Sequence, residues 1–173
     1  HLSEAPQAIY LAIELVASLD ADLMEIVLLS LKVSLVAVAI ACIAGLPLGA
    51  LVGMGRFPGR RLLISINNAL MGLPPVVVGL AVYLMLSRSG PFGVFGLLYT
   101  PTAMIIAQTL LVLPIVAALS RQTIEDLNAE YDEYLRSLDM GLVWRLKTLL
   151  WDGRASLATA AIAGLGRAIA EVG

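Results

Sequence analysis

Arg167 and Glu171 stand one helical turn apart in GLGRAIAEVG, inside an otherwise apolar stretch. Opposite charges at this spacing pair on a helix. Burying either alone in hydrocarbon is costly, so the pair points to a site on a transport route or to polar glue between helices. Further polar groups interrupt the apolar runs: Asn67 and Asn68 before MGLPPVVVG, and Gln108 and Thr109 in AMIIAQTLLVLPIV. Pro74 and Pro75 are adjacent, so two helical N–H groups are missing there, and each ring clashes with the preceding turn at a cost of about 3 kcal/mol or more. In lipid such a defect persists only where neighbours or cavity water satisfy the freed carbonyls. The prolines predict a kink in mid-span, either purely structural or beside a translocation path. These eight residues are the candidates for path or gate.

Other chemistries lack their residues. The single histidine is His1, no His-Glu-x-x-His occurs and no aspartate pair lies in an apolar run, which sets aside an intramembrane protease. A phosphate-binding loop with glycines and lysine at fixed spacing is missing. The one cysteine, Cys42, can build neither a disulfide framework nor a metal cluster. No catalytic residue, metal site or cofactor is expected in this chain.

The elements that must hold these groups are membrane helices. Of 173 residues, 60% are hydrophobic and 14% charged, where a soluble domain carries about 25% charge. No charge interrupts Val33 to Gly55, Leu62 to Ser87 or Ser89 to Ser120, and each run exceeds the roughly 20 residues that cross a bilayer. A fourth run from Ala155 is broken only by Arg167 and Glu171. The spans are expected at about 26–54, 62–87, 101–120 and 155–173. Net charge is −2, with no basic block, so nucleic acid is not a partner.

Lysine and arginine mark the cytoplasmic ends of spans. Arg56, Arg60 and Arg61 fill the loop after the first span, and Arg121, Arg136, Arg145, Lys147 and Arg154 fill the segment after the third. Both are read as cytoplasmic. The stretch before Lys32 has neither residue type and the loop after the second span has only Arg88, so both are read as external. Residues 1–22 are expected to hold an external interfacial helix over Pro6–Leu19, with Asp20 and Asp22 offering N-cap oxygens to a helix beginning near Leu23. Gly45, Gly49 and Gly53 repeat every four residues, a spacing that lets another helix approach closely.

The segment 121–154 is the one extended polar stretch. Leu135, Leu138, Leu142, Leu146, Leu149 and Leu150 recur at helical spacing against polar faces, which predicts two amphipathic helices with a turn at Asp139–Gly141. Trp144 and Trp151 suit either lipid headgroups or a docked protein.

Together, GLPLGAL, GRFPGRR, NALMGLPPVVVGLAVYLMLSRSGPFG, LLYTPTAMIIAQTLLVLPIVAAL, EYDEYLRSLDMGLVWRLKTLL and GLGRAIAEVG resemble the permeases of binding-protein-dependent ABC importers. They are most similar to tungstate-type permeases, relatives of the molybdate and sulfate permeases. The resemblance runs from about Leu23 to Gly173. It implies an all-α, polytopic helical membrane protein of the ABC importer permease (MetI-like) type, with the permease domain at 23–173 in the inner (plasma) membrane. Members of the family continue past AEVG with a further span, so the resemblance implies a chain truncated at its C-terminus.

The implied partners are a second copy of the permease, cytoplasmic subunits that bind ATP and Mg, an external substrate-binding protein, and membrane lipid. The implied substrate is a tetrahedral oxyanion: tungstate, or alternatively molybdate or sulfate. The family's coupling loop carries Glu-Ala-Ala followed by Gly, which falls here on Glu133, Tyr134, Leu135 and Asp139. Only the glutamate matches, with Gly141 a nearby flexible point. Glu133, Arg136, Leu138, Asp139, Gly141, Leu142, Trp144 and Arg145 are accordingly the expected coupling surface. A reading from another class, an ATP-independent channel or secondary transporter, would use Arg167 and Glu171 as a proton relay.

Overall fold

A computed structural model describes residues 4–18 and 21–172. Its described residues form seven α-helices and one short 3-10 turn, Gly93–Phe95, and no strand. The helices are α1 (Glu4–Ala17), α2 (Ala21–Met54), α3 (Arg60–Met71), α4 (Pro75–Leu86), α5 (Pro101–Ser137), α6 (Leu142–Asp152) and α7 (Arg154–Val172). The all-α class expected from the sequence is what forms.

Contacts divide the chain into two units, residues 1–32 and 33–173. In the first, α1 forms within two residues of the expected interfacial helix. Asp22 lies inside the first turn of α2, which begins at Ala21, and so is no N-cap. Leu19, Asp20 and Gly173 lie outside the described residues.

In the second unit α5 is the axis, packed against α3, α4, α6 and α7. Val38 and Ala41 of α2, Val112 and Val116 of α5 and Ala168 of α7 make one buried cluster. Ala50, Ile124, Leu135 and Leu149 make a second, where α2, α5 and α6 meet. The glycine repeat does what its spacing suggested. A Cβ on Gly49 would fall against the Ala117 carbonyl oxygen and within 2.8 Å of the Ser120 Cβ, and one on Gly53 within 2.9 Å of the Arg121 carbonyl oxygen. Ser120 closes the same seam by donating to the Leu46 carbonyl at 2.8 Å.

Two expectations are corrected. Residues 62–87 are not one kinked helix: α3 and α4 are separate and meet at 100°. Pro74 is the N-cap of α4, with extended backbone (φ −61°, ψ 141°), and Pro75 its first residue. A proline is well tolerated at a helix start, where its missing N–H has no intrahelical partner to lose, so the pair opens a new helix instead of bending an old one. The first of the two amphipathic helices is likewise no separate element, because α5 runs unbroken through Pro114 to Ser137. Only its last turns and α6 flank the turn, and Asp139 there has a positive φ of 48°.

Two described helices, α2 and α5, are long and apolar enough to cross a membrane, and the bent α3–α4 pair makes a third if it counts as one span. The fourth expected span, α7, is not among them. It carries three charges, Arg154, Arg167 and Glu171.

Candidate functional site

The bent α3–α4 pair, a broken span or a re-entrant loop, turns by 100° between Met71 and Pro75. Gly72 donates to the Asn68 and Ala69 carbonyls and Leu73 to that of Leu70, so the end of α3 is closed by its own chain. At the other side of the break, Val77 and Val78 both donate to the Pro74 carbonyl. Asn67 fixes α3 to the axis: its Nδ2 donates to the Pro114 carbonyl of α5 at 3.0 Å. The same side chain lines an apolar cavity of about 260 Å³ between α2, α3 and α5, together with Leu48, Leu63, Leu70 and Leu113. Asn68, one residue on, is exposed, as is Pro74, while Pro75 is half-buried.

The remaining path candidates lie elsewhere on the axis. Gln108 is buried on α5 and its Oε1 has no hydrogen-bond partner. Thr109 turns back on its own helix, donating to the Ile105 carbonyl at 2.7 Å. Arg167 and Glu171 pair on α7, as their spacing suggested, with Nε and Oε1 3.0 Å apart. The angle is not that of a hydrogen bond, and the Arg167 Nε–H has no acceptor. Between the pair's helix and α5, a Cβ on Gly164 would meet Val112 and Val116, and Ala168 packs with the same valines. The eight candidates do not converge on one cavity; of them, the apolar cavity takes only Asn67.

At the other end of α5 the coupling candidates divide into two groups. Leu138, Leu142 and Trp144 are exposed, joined by Tyr134, Val143 and Trp151, which leaves an apolar face at the α5–α6 corner. Glu133 and Arg136 are exposed beside it. Lys147 lies over the Trp144 ring at 5.3 Å and Arg154 over that of Trp151 at 4.7 Å. Asp139 adopts the left-handed backbone that glycine takes without cost and aspartate tolerates better than most residues. Gly141 is the N-cap of α6 with an ordinary φ of −62°, so the special backbone of this corner sits at Asp139 and not at Gly141.

Arg145 turns the other way. Its Nε and Nη2 both donate to Asn128 Oδ1, at 3.0 and 2.6 Å, and Nη2 also donates to Asp132 Oδ1 at 2.7 Å. Asp132 lies beyond the membrane length of α5. The Arg145 hydrogen bond, with help from Arg136, holds its carboxyl below the usual carboxylate value.

A second polar group, not foreseen as a site, sits next to this one. Arg60, the first residue of α3, donates from Nε to the Val52 carbonyl at 2.8 Å and pairs through Nη2 with Glu125. Arg121 reaches the same carboxylate at 2.9 Å. The four-residue spacing of Arg121 and Glu125 is legible in the sequence, but Arg60 and Glu125 are 65 residues apart. Arg60, Glu125, Asn128 and Asp132 line one polar cavity of about 310 Å³.

Residues 45–169 match the family described as "Binding-protein-dependent transport system inner membrane component". The chain belongs to this family. The membrane component is similar over 162 residues, at 39% identity, to the tungstate uptake system permease protein TupB of Peptoclostridium acidaminophilum, covering 94% of this chain and 71% of that protein. It is 40% identical over 156 residues to a probable anion ABC transporter permease protein of Haloferax volcanii, covering 87% of this chain and 65% of that one. A more distant relative is the molybdenum transport system permease protein ModB of Escherichia coli K12, 30% identical over 129 residues and covered to 56% of its length. The chain thus spans only part of each relative.

Proposed function

We propose that this chain is the membrane-spanning permease subunit of an ATP-driven importer of a tetrahedral oxyanion, with tungstate as substrate and molybdate or sulfate as the alternatives. The observation that carries the reading is the broken span. Interrupted backbone at membrane depth is tolerated where it lines a cavity or is covered by protein, and in transporters the ends of such half-helices face the substrate. The N-terminus of α4 presents positive helix-end potential there, and Asn67, Asn68, Pro74 and Pro75 shape the break. Gln108, Thr109, Arg167 and Glu171 complete the path further along α5 and α7. A weak, neutral-overall set of groups suits a dianion that must be released as well as admitted. The choice of tungstate rests on relatives named for tungstate uptake at 39% identity over 162 residues and 35% over 118, against sulfate permeases at 26% over 136 residues and 34% over only 74.

The energy source lies in partner subunits that bind ATP and Mg, docked on the exposed corner of Glu133, Arg136, Leu138, Asp139, Gly141, Leu142 and Trp144, with Arg145 behind it. Their closure rocks a permease homodimer between inward and outward openings, and an external binding protein delivers the anion.

The test is reconstitution of the full permease in proteoliposomes with its ATP-binding subunits and binding protein. Tungstate uptake should require ATP and be competed by molybdate more strongly than by an amino acid or sugar. Uptake by the permease alone, without ATP-binding subunits, would overturn the reading in favour of a channel or a proton-linked transporter using Arg167 and Glu171.

A further inference from the structure

The exposed corner and the broken span lie at different heights along α5, and two arginines bridge the interval. α5 is one continuous helix from Pro101 to Ser137, so whatever grips it at one level is rigidly connected to whatever grips it at another. At the lower level Arg145 anchors α6 through three hydrogen bonds, two to Asn128 and one to Asp132, behind the outward face of Leu142, Val143 and Trp144. One to two turns up α5, Glu125 takes Arg60, and Arg60 is the first residue of α3. The same guanidinium is tethered to the Val52 carbonyl in the last turn of α2. Three turns further still, the Pro114 carbonyl takes Asn67, five residues before the break at Gly72.

We propose that Arg145 and Arg60 are positioning residues that clamp α6 and α3 to the common rod of α5, so that a displacement of α6 is carried to the broken span. The proposal rests on the reading of α6 as the docking element for the ATP-binding subunits. Apolar packing alone, as at Leu135 and Leu149, opposes separation but permits sliding. A planar guanidinium held by two acceptors fixes direction as well as distance, and lysine cannot reproduce that fork. Arg60 and Arg145 thus do more than mark the cytoplasmic side.

The experiment uses the full permease assembled with its ATP-binding subunits, in a Cys42→Ser background. Spin labels are placed in separate samples at Val143 on α6 and Val76 beside the break, both exposed, and label-to-label distances between the two permease copies are measured with and without nucleotide. In the unmodified chain both distances change. In Arg145→Gln and in Arg60→Gln the change at Val143 persists while the change at Val76 falls to less than half. Binding-protein-stimulated uptake falls roughly threefold to tenfold relative to ATP hydrolysis. Arg145→Lys and Arg60→Lys, which keep the charge and the assembled complex, show the same direction with smaller size.

The proposal is overturned if the Val76 change is undiminished in the glutamine and lysine variants, or if hydrolysis and uptake fall in equal proportion in a complex that still assembles. If neither distance responds to nucleotide in the unmodified chain, the docking reading falls and the clamp falls with it. The distance readout does not depend on which oxyanion is carried.

Discussion

A methyl group on Gly49 would press on the backbone of α5, whereas one on Gly166 would meet nothing within 4 Å. The two glycines therefore make a paired prediction. Gly49→Val forces α2 from α5 and should destabilise by about 1–3 kcal/mol, the usual cost of overpacking. Gly166→Ala should be neutral or stabilising by up to about 1 kcal/mol, because alanine is the better helix former. Thermal unfolding in detergent, followed by loss of monodispersity, checks both; equal effects would show that the seam is not at Gly49. Asp132 gives the pH-dependent case. Its folded carboxyl titrates below the usual value of 3.8, chiefly through the Arg145 hydrogen bond. A lowered folded pKa stabilises above the unfolded value and is lost as pH falls through the folded one. Attachment of α6 should thus be unchanged from pH 8 to 5 and weaken only below the ordinary carboxylate range, as read from Trp144 and Trp151 fluorescence. In Asp132→Asn this acid-induced change should be reduced. At this scale the pairing of Arg167 with Glu171 was legible from spacing alone, while the role of Arg60 was not, because its partner Glu125 is remote in sequence.

Among the elements, the α3–α4 elbow turns on two prolines. Each costs about 3 kcal/mol in a helix interior, which is why a single helix over 62–87 gives way to two of twelve residues each. Pro74→Ala with Pro75→Ala restores both N–H groups and removes both clashes. The bend of 100° should then open, with labels at Leu62 and Leu84 moving apart by roughly 10 Å or more. Uptake should fall in a complex that still assembles; unchanged uptake with a straightened pair would remove the elbow from the mechanism. The sequence located the defect at the correct residues but not its form, since two prolines are compatible with a kink or a restart. Which occurs depends on Asn67 holding α3 against Pro114 and on how Gly72 and Leu73 cap the helix end. The corner at Asp139 is parallel: the resemblance puts a glycine at this position in the family, and the structure gives Asp139 the left-handed backbone that glycine favours.

For the whole molecule, the 37 residues of α5 extend about 55 Å at 1.5 Å per residue, well beyond a hydrocarbon thickness of about 30 Å. If Pro101 lies at the outer side, as the distribution of arginine predicts, the last turns stand clear of the bilayer and carry α6 with them. Cysteines at Glu130 and Lys147, in a Cys42→Ser background, should therefore react with an impermeant thiol reagent only from the cytoplasmic side of inverted vesicles, and one at Arg88 only from the outside of intact cells. Exchange of the two sides would reverse the topology, and reaction of all three from one side would abolish it. The arginine-rich loops are what predict this arrangement, because translocating arginine is costly wherever the chain folds.

The sequence by itself determined that the chain is helical, that it lives in lipid and where its helices touch closely. These follow from local composition and from spacings of three, four and seven residues, which act within one element. Only the tertiary structure decided that the paired prolines start a helix, that α5 is one rod serving both the broken span and the corner, and that Arg60 and Arg145 grip it. Those outcomes depend on contacts between residues 17 to 65 apart in the chain, and hydrogen bonds at such separations leave no periodic trace in the order of the residues.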